Sequence, residues 1–248
     1  MANANTEIKN VLPGRSNLWL DFWHSENIFE PFQWEKNTEI FVRGSEEILD
    51  YKPTDRVLDI GCGPGTLEYH LKGRVGEICG VDISAGYVEG CREKFRDCPS
   101  LSFRQMGENY LDFSFLGTER KFDKIICHGV VQYYHGLHEV ESLIREVRAL
   151  ANPGARFLIS DIPLAGGRSS FIAAFLKKSY QEGFLWDLVK FTWRAYRSSY
   201  YTAFRSQGLI QVRREDLIAL KASLGVEGRL LENPLSLSMH RIHLLIEF

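Results

Sequence analysis

The sequence predicts a doubly wound α/β fold built on a mostly parallel sheet. Two features carry that prediction. Short apolar, β-branched runs alternate with helical stretches from Arg56 to Ile162, and the first run breaks off at a glycine-rich turn, Gly61-Cys62-Gly63-Pro64-Gly65. Alternation at this spacing requires crossover connections, hence parallel strands with helices on both faces. The bulk composition agrees: 248 residues, 44% hydrophobic and 25% charged, are enough for one sizeable globular unit.

The elements follow in order. Residues 1–15 are polar and without periodicity. From Leu18 to Ile48 aromatic residues are dense (Trp19, Phe22, Trp23, Phe29, Phe32, Trp34, Phe41), and the stretch reads as helix ending before Pro53. Residues 1–52 are expected to form a helical N-terminal segment, part of it serving as a lid. Arg56–Ile60 is a buried strand, Thr66–Lys72 a helix, Glu77–Asp82 the second strand and Ser84–Phe95 a helix with Ser84 placed to cap it. Leu101–Gln105 and Phe122–Cys127 are the third and fourth strands. Glu139–Leu150 is a helix with Val140, Leu143, Ile144, Val147 and Leu150 on one stripe. Asn152-Pro153-Gly154 is a turn into the fifth strand, Arg156–Ile162, which closes a core at 53–162. Residues 163–208 read as a helical, aromatic insert, and 209–248 return to the core with a helix at Arg214–Leu224 and strands near Val226–Leu231 and Arg241–Phe248. A hairpin of these last two completes seven strands with an antiparallel edge.

Composition disfavours several function classes. A net charge of −2 supplies no chain-wide basic field to gather nucleic acid, so no nucleic-acid partner is expected. Five cysteines without a C-x-x-C pair suit reduced thiols and neither a disulfide framework nor a structural metal site. Met1–Leu12 lacks a positive-then-apolar leader, and no run approaches the ~18 apolar residues of a membrane span. The expected location is cytoplasmic.

The glycine turn sits where open α/β sheets bind ligands, at the carboxyl end of the first strand and the start of the first helix. Glycines there let backbone touch a ligand with no Cβ in the way, and the helix start offers free N–H groups. A dinucleotide would prefer G-x-G-x-x-G, whereas this turn is G-x-G-x-G with Thr66 at the last glycine's place, which disfavours a nicotinamide-dependent oxidoreductase.

The phrase D-I-G-C-G-P-G at Asp59–Gly65 resembles the first motif of the class I S-adenosylmethionine-dependent methyltransferases. G-V-D-I-S at Gly80–Ser84 resembles the second motif, F-D-K-I-I-C-H-G at Phe122–Gly129 the fourth-strand motif, and L-A-N-P-G-A-R-F at Leu150–Phe157 the turn into the fifth strand. The resemblance covers about Arg56 to Asp161 and implies S-adenosylmethionine as cofactor, with S-adenosylhomocysteine as product. It implies that Asp59, Gly61, Cys62, Gly63 and Gly65 line the cofactor, that Asp82 accepts the ribose hydroxyls and that Ile83 packs on the adenine. The family's acidic adenine contact after the third strand is replaced here by Met106, so the contact falls to Met106, Gly107 or Glu108. His128 and Gly129 follow the fourth strand at the site mouth.

Methyl transfer needs positioning more than acid–base chemistry. Candidate bases are His128, Tyr133, His135 and Asp161. The N-P-P-[YF] tetrapeptide of family members that methylate nucleic-acid bases or glutamine is absent, and C-H-G-V stands instead. An O- or N-directed transfer to a small-molecule acceptor is therefore expected, with a non-catalytic cofactor-binding subunit as the alternative. Between Arg168 and Arg205 seven Lys/Arg face two acids, Glu182 and Asp187. That insert reads either as a cap whose aromatics form their own core, or as a basic aromatic surface, Lys177, Lys178, Arg194 and Arg197 included, resting on a membrane or an acidic or lipid acceptor.

Overall fold

A computed structural model describes residues 17–25, 31–117, 119–166, 185–236 and 240–248. Helices α1 (Leu18–Ser25) and α2 (Pro31–Leu49) precede β1 (Arg56–Ile60), α3 (Thr66–Leu71), β2 (Glu77–Asp82), α4 (Ala85–Lys94), β3 (Leu101–Gln105), β4 (Phe122–His128), α5 (Leu137–Leu150) and β5 (Ala151–Pro163). Helices α6 (Leu185–Tyr196), α7 (Ser199–Ser206) and α8 (Arg214–Leu224) follow, then β6 (Glu227–Leu231) and β7 (Arg241–Glu247). Residues 1–15, Phe29 and the part of the insert holding Arg168, Phe171, Phe175, Lys177, Lys178, Tyr180, Glu182 and Phe184 lie outside the described residues.

The seven strands run in the order β3-β2-β1-β4-β5-β7-β6. β1 pairs in parallel with β2 on one side and β4 on the other. The chain therefore reverses its direction of travel across the sheet at the carboxyl ends of β1 and β4, the switch point at which a crevice opens. β7 is antiparallel to both β5 and β6. The C-terminal strand β7 is thus antiparallel to its neighbours, as expected, and lies inside the sheet, with β6 hydrogen-bonded to it at the edge. Burial gives the reason: Ile242, His243, Leu244, Leu245 and Ile246 are all buried, as a strand with neighbours on both sides requires, whereas β6 is half exposed.

Side chains alternate across β1. Leu58 and Ile60 join α5 and α8 in the core on one face, through Val140, Leu143, Leu217 and Leu220. Val57 faces the other way, with Leu67 and Leu71 of α3 and Phe41, Ile48 and Leu49 of α2. Asp59 shares the parity of Val57, which turns its carboxyl toward α3. A third cluster, Trp19, Phe22 and Ala203, joins α1 to α7, and Trp19 Nε1 donates to the Gly208 carbonyl at 2.9 Å.

Two strand or helix starts in the core move by two residues or more from the sequence expectation. β5 begins at Ala151, through the expected Asn152-Pro153-Gly154 turn, because Ala151 pairs with Phe122 before the register shifts between Phe122 and Lys124. α5 starts at Leu137, one half-turn early. Ser84 caps α4 as its residue type suggests, its hydroxyl accepting from Tyr87 N at 3.4 Å.

Candidate active site

A cavity of about 370 Å³ opens at the carboxyl ends of β1, β2, β4 and β5. Its floor begins with the glycine turn. Gly61, Gly63 and Gly65 have φ of 81°, 52° and 73°, a left-handed region in which L side chains are strained. Space forbids a side chain as well: a Cβ on Gly61 would sit 2.3 Å from Val130 Cγ2, and one on Gly65 2.7 Å from Phe95 Cε2. The turn is drawn over the end of β2 by Gly61 N and Cys62 N, which donate to the Val81 carbonyl at 2.7 and 3.1 Å.

Asp82 fastens this turn to the next strand. Its Oδ2 accepts from Gly63 N at 2.9 Å and its Oδ1 from Ser84 N at 2.8 Å. The glycine collar and the carboxylate one strand over are therefore in direct contact at the rim of one cavity. Burial pushes the Asp82 carboxyl up, against the opposing pull of the Ser84, Gly63 and Ile83 N–H groups. Asp59, 4% exposed, is pushed up to about 8 by burial and by the neighbouring Asp82 charge. Beneath the turn lies Glu68 of α3, fully buried, its carboxyl well above the usual range through burial and then the Asp59 charge. Neither Glu68 oxygen has a hydrogen-bond partner among the described residues. Three buried carboxyls surround one glycine turn, and burial holds Asp59 and Glu68 toward their neutral forms, so a cationic ligand beside them would favour ionisation.

His128, at the end of β4, is held on both ring nitrogens. Asn37 Nδ2 lies 2.8 Å from Nε2 and, being a donor, makes Nε2 an acceptor; Nδ1 then carries the proton to Ser160 Oγ at 2.8 Å. Burial pushes its pKa down to about 4, and the ring lies 4.4 Å from that of Phe41. A neutral imidazole with its lone pair already engaged is poorly placed to take a proton from an acceptor.

Asp161 follows in β5, where the pairing with β7 is irregular between Ile159 and Ile162. Its φ is 65°, uncommon for a residue with a Cβ, and its own N–H donates to His243 Nδ1 at 2.9 Å instead of to the ladder. This bulge re-aims the side chain toward the cavity. Oδ1 accepts from Ser236 Oγ at 2.5 Å and faces Arg241 Nε at 3.4 Å, while Oδ2 lies on the side of Gly129.

The remaining walls are aromatic. Trp34 comes from α2, Tyr87 from α4, Tyr110 from the loop after β3, Tyr133 and Tyr134 from the turn after β4, Trp19 and Trp23 from α1, and Phe191 from α6. The Tyr133 ring lies 4.8 Å from Trp19 and 5.2 Å from Trp23. Its hydroxyl hydrogen-bonds that of Tyr200, and burial holds it well above the usual phenol range.

Of the residues singled out from sequence, Asp59, Gly61, Cys62, Gly63, Asp82, Ile83, Met106, His128, Gly129, Tyr133 and Asp161 line this cavity. Four do not. Gly65 faces Phe95 and Cys91 beneath the turn. Gly107 and Glu108 are exposed on the loop after β3, which turns them to solvent while buried Met106 faces inward. His135 is exposed and pairs with the half-buried Glu139 of α5, its Nδ1 3.0 Å from Glu139 Oε1. Sequence reasoning missed Glu68, Asn37, Gln132 and Ser236. Asn37 meets His128 across 91 positions and Ser236 meets Asp161 across 75, so no local pattern announces either.

A protein-family model described as a methyltransferase domain matches residues 58–157, from β1 into β5. The chain is 25% identical to the polyketide synthase–nonribosomal peptide synthetase ffsA of Aspergillus flavipes, over 61% of this chain and 4% of that protein. It is 29% identical to EEF1A lysine methyltransferase 4 of Mus musculus, over 43% and 45% of the two chains. Identity is also 29% to demethylmenaquinone methyltransferase of Symbiobacterium thermophilum, over 51% and 48%. The chain thus spans less than half the length of these relatives. Among solved structures, magnesium protoporphyrin IX methyltransferase from Synechocystis with bound S-adenosylhomocysteine superposes with a TM-score of 0.57 over 93% of both chains, at 19% identity. The N-methyltransferase NodS from Bradyrhizobium japonicum, in complex with S-adenosylhomocysteine, gives 0.56 over 94% of this chain and 98% of that one, at 13% identity. At such identities the likeness is one of fold.

Proposed function

We propose that this member of the class I S-adenosylmethionine-dependent methyltransferase family transfers a methyl group to an oxygen or nitrogen of a small-molecule acceptor. The observation that carries the reading is the shared cavity: the Gly63–Asp82 cradle and an aromatic compartment open into the same space. Its volume of about 370 Å³ lies within the span of small-molecule sites, roughly 300–1,000 Å³.

The residues fit the cofactor on three counts. Gly61 has no room for a Cβ, and Gly63 only tight room beside Trp34 at a left-handed φ, so a nucleoside can lie against bare backbone. Asp82 stands at the strand end with both oxygens oriented by N–H groups and further lone pairs for ribose hydroxyls. Asp59 and Asp82 are both buried with raised carboxyls, Asp59 partly through the Asp82 charge, and a cationic guest would favour their ionised forms. When bound, S-adenosylmethionine supplies an electrophilic methyl group on a sulfonium.

The protein's own work is positioning and exclusion of water. Met106 offers an apolar flank for the base, and Ile83 a second. Trp19, Trp23, Tyr133 and Phe191 wall the acceptor side, where an apolar or ring-bearing molecule would be held at attack distance. Orientation of that kind is worth roughly 7–11 kcal/mol of the barrier. For a hydroxyl acceptor, Asp161 Oδ2 is the atom to take the proton, since Oδ1 is committed to Ser236 and His128 is held neutral with its lone pair engaged. His128 acts instead as a positioning residue between α2 and β5.

The non-catalytic alternative leaves the aromatic half of the cavity without a use, which speaks against it. Calorimetry with S-adenosylhomocysteine tests the reading: saturable binding is expected, and no heat at saturating protein refutes it. Product formation from S-adenosylmethionine with a panel of phenols and aryl amines then separates oxygen from nitrogen transfer.

A further inference from the structure

Helix α6 has two faces of opposite use. Its inner face carries Phe191, which lines the cavity and packs with Ala195 against the Trp19–Phe22–Ala203 cluster. Its outer face carries Trp186, Val189, Trp193 and Tyr196, which are 76%, 49%, 62% and 60% exposed. At 3.6 residues per turn these four, with Lys190, fall within an arc of about 120°, and Arg197 follows in the turn just beyond the helix. Two tryptophans and a tyrosine turned to water on one stripe of an otherwise ordinary surface mark an interaction face.

Charge says what kind of partner fits. From Leu188 to Ser206 the sequence carries Lys190, Arg194, Arg197 and Arg205 and no acid, on a chain whose net charge is −2. All four cations are exposed. The Arg197 guanidinium lies 5.6 Å from the centroid of the Trp193 ring, and that of Arg205 5.9 Å from that of Tyr201, so each of these cations lies beside a ring. Amphipathic rings beside long cationic side chains suit the headgroup layer of a bilayer: rings enter the acyl boundary while the cations meet lipid phosphates. No described helix is long and apolar enough to cross a membrane, so the contact is one of a surface helix lying in the interface plane.

We propose that the outer face of α6 docks the protein on an anionic phospholipid surface. Because the opposite face of the same helix walls the cavity, docking would bring the acceptor side of the site against the lipid and favour a membrane-partitioned amphiphile as acceptor. That last clause rests on the methyltransferase reading; the lipid contact does not.

The test uses the full chain with vesicles of phosphatidylcholine alone and of phosphatidylcholine mixed with phosphatidylglycerol. Wild type is expected to co-sediment with the mixed vesicles, weakly with the neutral ones, and to lose partitioning as salt rises. Trp186→Ser with Trp193→Ser, and separately Lys190→Gln with Arg197→Gln, should each reduce partitioning about tenfold or more, while S-adenosylhomocysteine affinity stays at the wild-type value as proof of folding. Brominated lipid should quench the tryptophan emission of wild type and not of Trp186→Phe/Trp193→Phe. Equal partitioning of wild type and both double variants, or no partitioning of wild type, overturns the proposal. So does concentration-dependent self-association, abolished by Trp186→Ser/Trp193→Ser, in a protein that ignores vesicles, since the face would then serve another protein copy. Loss of S-adenosylhomocysteine binding by wild type, with lipid binding intact, would sink the cofactor reading and leave this one standing.

Discussion

Replacing Asp59 by asparagine removes a buried carboxyl at nearly constant shape, and the structure fixes how the consequence should vary with pH. Asp59 is 4% exposed, and burial with the neighbouring Asp82 charge pushes its pKa up to about 8. The unfolded chain releases the same proton near ~3.9. Between those values the folded protein binds the proton and the unfolded chain does not, so stability falls as pH rises through that window. At ~1.36 kcal/mol per pH unit, the loss accumulated from about pH 4 to pH 7 is at most about 4 kcal/mol. Asparagine carries no such proton. The advantage of Asp59→Asn over wild type should therefore be near zero at about pH 4, grow through neutrality and level off above about pH 8. Urea unfolding of both proteins across that range measures the difference directly. S-adenosylmethionine should narrow it, because a cation beside Asp59 restores the carboxylate and expels its proton, visible in calorimetry as a heat that depends on the buffer. Two stability curves that stay parallel from pH 4 to 8 would refute the idea that buried carboxyls make this cavity cation-seeking.

Other outcomes follow from the same geometry. Asp82→Ala should weaken S-adenosylhomocysteine binding by about 1.5–3 kcal/mol, the scale of hydrogen bonds to a charged group, and calorimetry showing unchanged affinity would remove Asp82 from the ribose role. Gly61→Ala places a methyl group against Val130 at a φ of 81°, a strain of about 1–3 kcal/mol; a lowered melting temperature and lost cofactor binding are expected, and a variant that binds like wild type would show the collar to be dispensable. The His128 ring, pushed down to about 4, should stay neutral down to about pH 5 by NMR, its contribution to stability present above its unfolded value of ~6.5 and lost as pH falls toward 4; a midpoint near 6.5 would contradict the burial argument. Tyr133→Phe loses the bond to Tyr200, about 1 kcal/mol of stability, and should leave S-adenosylhomocysteine affinity unchanged; a tenfold drop would put Tyr133 on the cofactor side.

The sequence by itself determined the doubly wound core, because a strand–turn–helix with glycines at positive φ is a local matter: Gly61, Gly63 and Gly65 need their freedom whatever surrounds them. Ser84 was legible as a cap for the same reason, and Asp82 as a strand-end carboxylate. The tertiary structure decided which strand stands at the edge, since the order of β6 and β7 in the sheet is set by which of them pairs with β5. It also decided the character of the acids and the histidine. Asp59 and Glu68 are ordinary carboxyls in a sequence, and become proton-holding groups only when α3 is laid against β1 and burial withdraws water. His128 reads as a base until Asn37 and Ser160, brought from α2 and β5, take both its nitrogens. In the aromatic insert the sequence left two readings open, an inward core and an outward surface. On α6 the fold turns Phe191 inward and Trp186 and Trp193 outward, because among the described residues it is Phe191 and Ala195 that pack against the Trp19–Phe22–Ala203 cluster.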